Sequence, residues 1–157
     1  MKKLLKSLSL ILVCASFVAC GTKASNSSEL KDGLTAKDVV QKVEEKAPMQ
    51  MPMEFDEELA KDIAKLDLDN VEDYAITKAS VIISADIAAV VKAKDGKVEE
   101  VKATLQEMLD TEKNNAYLPE QKEKVENAVL KEKGNYVILL INQDVKAAEA
   151  AVDKCFK

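Results

Sequence analysis

The chain predicts an α+β domain: an antiparallel four-stranded sheet made of two ββα units, with helices packed on one face, preceded by two N-terminal helices. Three observations carry that expectation. Two pairs of β-branched runs each flank a turn, Tyr74–Ile83 with Ile87–Lys94 and Ala128–Lys133 with Tyr136–Asn142. Each pair precedes a stretch with apolar residues at helical spacing. The roughly 120 residues from Thr35 onward suit one core.

The N-terminus comes first. Lys2, Lys3 and Lys6 form a basic start, and Leu8–Val18 is an apolar run of 11 residues. That is well short of the roughly 20 needed to cross a bilayer as a helix. Ser16-Phe17-Val18-Ala19-Cys20-Gly21 follows the pattern of a lipoprotein signal, with small residues beside the cut. Phe17 stands where that signal usually has Leu, and at the rival Cys14 the preceding Val13 is too large for cleavage. Residues 1–19 are therefore expected to be a signal peptide, with lipidation at Cys20. A diacylglyceryl group supplies two acyl chains, which hold a protein stably where one does so only reversibly. Residues 20–34, poor in apolar content, read as the lipidated Cys and a flexible tether. Residues 35–157 read as the single folded domain.

Thr35-Ala-Lys-Asp38 has the spacing of a capping box, and Val39, Val40 and Val43 follow at helical spacing until Pro48. A second helix is predicted from Asp56 to Leu66, with Leu59, Ile63 and Leu66 on one face. Its early acids suit the positive end of the helix dipole. The first hairpin turns at Ser84-Ala85-Asp86. After Asp95-Gly96, Val98, Val101, Leu105, Met108 and Leu109 form one apolar stripe. Tyr117-Leu118-Pro119 ends that helix, and Pro119 starts a short polar one to Asn127. The second hairpin turns at Gly134-Asn135. Val137–Ile141 is continuously apolar, which predicts a strand buried on both faces. Asp144 caps a last helix with Val145, Ala148, Val152, Cys155 and Phe156 turned inward.

Composition narrows function. Beyond Cys20 the chain holds 28 carboxylates and 20 lysines, a net charge of −8 against −5 for the whole sequence. Such a surface disfavours nucleic acid and anionic headgroups. Every cation is Lys, which lacks the planar fork of Arg. There is no His, so imidazole acid–base chemistry and the usual triads are excluded. Once the signal is removed and Cys20 acylated, Cys155 is the one thiol left, so no internal disulfide is expected.

Val71-Glu72-Asp73-Tyr74, Lys92-Ala93-Lys94-Asp95, Tyr117-Leu118-Pro119 and Gly134-Asn135-Tyr136-Val137 occur in an order and spacing that resemble one family. The chain looks like a member of the domain-of-unknown-function 4358 family, small lipid-anchored proteins of low-GC Gram-positive bacteria. The resemblance runs from about Ala36 to Phe156 and rests on the ordered set. Kin often carry Tyr-Gly where this chain has Lys65-Leu66, and an acid near Ile87. The resemblance implies fold and location, and it transfers no functional residue.

Candidate sites are few. Met49, Met51 and Met53 have thioethers at a spacing that suits Cu(I), against which a packing linker is the bland reading. Asp67-Leu-Asp69-Asn70-Val-Glu72-Asp73 begins like a calcium loop, but Val71, Glu72 and Lys78 fall at its fifth, sixth and twelfth positions. It reads as a solvated turn. Cys155 reads as core, Glu99 and Glu100 as a solvated face, and Tyr117 and Tyr136 as packing that could pair across the sheet edge or stack on a ligand. No catalytic residue, metal site or cofactor is expected. The expected function is non-enzymatic: a lipid-anchored domain on the extracytoplasmic face of the membrane that binds an envelope protein or component. The alternative is capture of a small molecule or metal for a transporter.

Overall fold

The computed structural model describes residues 28–157, in the order α1 (Ala36–Lys46), β1 (Pro52–Glu54), α2 (Glu57–Asp62), a 3₁₀ turn (Leu68–Asn70), β2 (Val71–Ala79), β3 (Ile87–Ala93), α3 (Val98–Asn115), α4 (Pro119–Glu126), β4 (Val129–Lys133), β5 (Tyr136–Ile141) and α5 (Val145–Asp153). The residues expected to form the signal, Cys20 included, lie outside the described residues. Local chemistry sets the helix starts. The Thr35 backbone N–H and Oγ1 both donate to the Asp38 carboxylate, at 2.8 and 2.7 Å, and the Asp38 N–H returns to Thr35 Oγ1. Asp56 and Asp144 accept the N–H groups of Leu59 and Ala147.

The fold is α+β, and its sheet has five antiparallel strands rather than four, in the order β1-β2-β3-β5-β4. The extra strand is β1, which lies along the edge of β2 with Met53 opposite Lys78. At three residues including a proline, it is too short for an alternation pattern, and Pro52 suits only an edge. It also separates the two helices expected to stand together at the N-terminus. The second of these ends at Asp62 instead of Leu66. Left-handed Lys65 (φ 56°) follows, and the Leu66 N–H reaches the Ala60 carbonyl.

Helices cover both faces of the sheet, which corrects the expectation of one. On one face Ile87, Ala89, Val91, Val137, Leu139 and Ile141 pack with Val101, Leu105, Met108 and Leu109 of α3, Val125 of α4 and Ala60 of α2. On the other, Ala75, Ala88, Val90, Ile138 and Leu140 meet Val39, Val40 and Val43 of α1 and Ala148 and Val152 of α5. The period of two explains the division, because β3 and β5 are apolar at odd and even positions alike. Ala75 and Ala88 are small where α1 crosses, which lets that helix sit close. The two ββα units are present, yet no two-fold relates them. A two-fold exchanging antiparallel neighbours runs along the sheet normal and preserves faces, whereas α3 and α5 lie on opposite ones.

The sheet has two distinct poles. At one, the chain enters the domain: Leu30 bridges Phe156, and the Lys31 N–H donates to the Cys155 carbonyl at 2.8 Å. The Phe156 ring meets Tyr136, the first residue of β5, edge-on at 5.3 Å. Docking of the chain thus begins at Glu29, whose carbonyl accepts the Lys157 N–H at 3.0 Å, inside the stretch read as tether. The six residues of β5 then carry it to Ile141, opposite Ile87. That is a distance of about 17 Å, and beyond it lies the far pole, where the β2–β3 connection turns. Helix α1 spans the same distance, from Ala36, whose N–H donates to Asp73, to Ala47, whose carbonyl accepts from Asn142.

Candidate functional site

The far pole carries a groove of about 600 Å³ between the β2–β3 connection and the end of α3, lined among others by Met53, Lys78, Ile82, Glu112, Tyr117 and Gln121. A smaller cavity of about 200 Å³, between Ile63, Lys65, Met108 and Thr111, shares Lys78 and Glu112 with it. Lys78 on β2 and Glu112 on α3 form an ion pair at the divide, largely shielded from solvent.

Apolar side chains ring this pole. Among the described residues, the exposed large hydrophobics are Met51, Ile63, Ile82, Ile83 and Tyr117, with Ile82 the most open at 82%. Ile82 and Tyr117 line the groove and Ile63 lines the adjoining cavity. Ile83 follows Ile82 in the loop, and Met51 accepts the Ser80 N–H and Oγ at its carbonyl. A single exposed isoleucine is ordinary; five large apolar side chains at one end are not. Met51 and Lys65, the two described non-glycine residues with positive φ, flank the same region, at 45° and 56°. Holding a side chain there costs about 1–2 kcal/mol per residue.

The groove walls are fixed from behind by a polar unit. Gln121 accepts the Tyr117 and Leu118 N–H groups at Oε1 and donates from Nε2 to the Ile82 carbonyl at 2.9 Å, clasping both walls. Ser84 Oγ donates to Asp86 Oδ2 at 2.6 Å. Lys124 of α4 lies 3.1 Å from Asp86 Oδ1 and 3.0 Å from Glu120. Burial opposes the charge on Lys124, but its bonds to Glu120 and Asp86 outweigh that and hold its pKa above the usual 10.5. The ammonium therefore stays protonated and is no base for Ser84. The arrangement suits shape-selective binding and holds its walls rigid.

These contacts also place the residues singled out from the sequence. Met49 packs into the α1/α5 core, Met53 against the α3 core and Met51 outward, so the three thioethers do not converge. Tyr136 is buried against Phe156 while Tyr117 stands on the groove, and the two do not pair. Cys155 is buried, and its Sγ donates to the Ala151 carbonyl at 3.3 Å. Asp67 caps the turn at Asp69 and Asn70, and Asn70 reaches Glu100. Glu99 and Glu100 are exposed. No described cluster of three or more Cys or carboxylate residues is placed to hold a metal.

Apart from Tyr117, read as a ring that could stack on a ligand, and Met53, singled out for its thioether, the sequence did not point to the groove residues. Ile82 and Ile83 resembled the end of a strand, but β2 stops at Ala79. Gln121 and Lys124 lay in a helix that looked merely polar. The one available signal was Lys124 four residues after Glu120, and that spacing is also common on solvated helices.

The family model Domain of unknown function (DUF4358) matches residues 45–142. That span contains all five strands and every residue lining the groove, and it omits α5 and all but the last two residues of α1. No curated protein and no solved structure matches the chain.

Proposed function

Since the chain belongs to the family Domain of unknown function (DUF4358), we propose that it is a non-enzymatic binding module, tethered to the membrane through lipid on Cys20 and working outside the cytoplasm. Its far-pole groove takes an apolar segment of an envelope protein or component. The observation that carries this reading is the placement of the groove. The chain enters beside Leu30 and Phe156, and the groove with its apolar rim lies at the opposite end of the sheet. A domain held from its entry pole directs that rim away from the bilayer, toward whatever stands in the envelope. No described helix is long and apolar enough to cross a membrane itself. A groove with a hydrophobic rim and shielded polar groups inside has the make-up of an interaction site.

Cross-linking in intact cells tests it. Wild-type chain should fractionate with membranes and yield a discrete adduct, whereas C20S should be released and lose the adduct. Release of neither form, or no specific adduct under several chemistries, counts against the reading. The alternative, capture of a small molecule for a transporter, draws on the groove volume, which suits a small ligand. It predicts a low-molecular-weight ligand retained by the purified chain and no protein adduct.

A further inference from the structure

A second surface lies away from the groove, on the outer side of α1 and α5. These helices run antiparallel over one face of the sheet and leave a furrow of about 350 Å³ between them. Ala147, Ala150 and Ala151 of α5 floor it, with Lys42, Glu45 and Lys46 on the α1 bank and Lys154 on the other. The three lysines are exposed, and none has a carboxylate within ion-pair distance among the described residues.

This is unusual in so acidic a chain, and the charges of α5 explain it. Glu149 and Asp153 turn toward β4, where Lys131 meets them at 2.9 and 2.8 Å and Lys133 meets Asp153 at 2.9 Å. The acids of α5 are thus spent on one side, leaving Lys154 uncompensated on the other. On α1, Asp38 is hydrogen-bonded by Thr35 a turn before Lys42 and reaches that lysine only through longer-range attraction, without a direct ion pair. Three cations against Glu45 leave the furrow net positive, on a chain whose mature charge is −8.

We propose that this furrow docks an acidic amphipathic helix of a partner protein. The alanine floor runs a little over one turn, about 6 Å from Ala147 to Ala151, and small side chains let a third helix approach toward the short end of the usual 8–10 Å packing distance. Lys42 and Lys46 stand one turn apart on one bank and Lys154 on the other, so carboxylates flanking the apolar stripe of the guest meet a cation on each side. A free anion would satisfy the lysines and leave the alanine floor uncovered; the two features together fit a helix that carries both.

The test uses the full-length chain in detergent and a fluorescent helical peptide made of Glu and Ala. Polarisation should show binding that weakens about tenfold in K42A/K46A/K154A, and that also falls as salt shortens the Debye length from about 30 Å to about 8 Å. I82S/Y117S, altered at the distant groove, should bind the peptide as the wild type does. Unchanged thermal midpoints confirm that the variants fold, and K46A/K154A gives a second reading with fewer changes. Equal peptide binding by the wild type and the triple variant overturns the proposal. So does a salt-sensitive dimer in sedimentation that the triple change abolishes, which assigns the furrow to a second copy. Preferential capture of anionic vesicles over the peptide overturns it in favour of a lipid surface.

Discussion

Lys124 and Asp86 form an ion pair in the protein interior, 3.1 Å apart with side chains only 6% and 4% exposed, directly behind the loop that bears Ile82. Asp86 Oδ1 receives the lysine charge at that distance but no well-aimed hydrogen bond, so it depends on Coulomb attraction. The pair is asymmetric: Lys124 has Glu120 as a second partner, whereas Asp86 has only the Ser84 hydroxyl besides. Removing the lysine therefore strands a buried carboxylate, and K124M should cost about 3–5 kcal/mol. D86N leaves Lys124 bound to Glu120 and should cost less, about 1–3 kcal/mol. Urea denaturation of the two variants checks the order, and equal costs would show that Glu120 compensates nothing.

Packing on both faces makes a second prediction. Ala88 is fully buried on β3 beneath α1. A88L should overpack that layer and destabilise by about 1–3 kcal/mol, and L105A on the opposite face should cost about 2–5 kcal/mol through its cavity. With helices on one face only, one of the two changes would be nearly neutral. Thermal or chemical denaturation of both decides.

Asp153 predicts an acid dependence. Burial alone would raise its pKa, but hydrogen bonds from Lys131 and Lys133 outweigh that and hold it below the usual 3.8. A lowered folded-state pKa means that the stabilisation is present above about 3.8 and is lost as pH falls through the folded value. The stability difference between wild type and D153N should therefore be constant near neutrality and shrink below about pH 3.8. A difference unchanged down to pH 2.5 would mean that the lysines leave its titration alone.

The groove rim should be dispensable for folding. I82S and Y117S change exposed side chains with no hydrogen bond of their own, and each should shift stability by less than about 0.5 kcal/mol. A larger loss on denaturation would make the rim a folding element and weaken its reading as a binding surface.

Much of the architecture was legible because local chemistry and pattern agreed. The Thr35–Asp38 box, the Gly134-Asn135 turn with Gly134 at φ 58°, and the stripe from Val98 to Leu109 all take the form that their residues specify. The run Val137–Ile141 even implied a layer on each face, in conflict with helices on one. Strand β1 was hidden because three residues hold no period. The groove was hidden for another reason: Ile82, Tyr117, Gln121 and Lys124 are brought together by tertiary contacts such as the Gln121 bond to the Ile82 carbonyl, across 39 positions. No local pattern reports those.

The most direct test of the account places a photo-reactive amino acid at Tyr117 on the groove, or at Glu99 near the entry pole, and irradiates intact cells. The account predicts a discrete envelope adduct from position 117, absent from position 99 and lost when I82S is added. An adduct from position 99 as strong as that from 117, or none from 117, would contradict it.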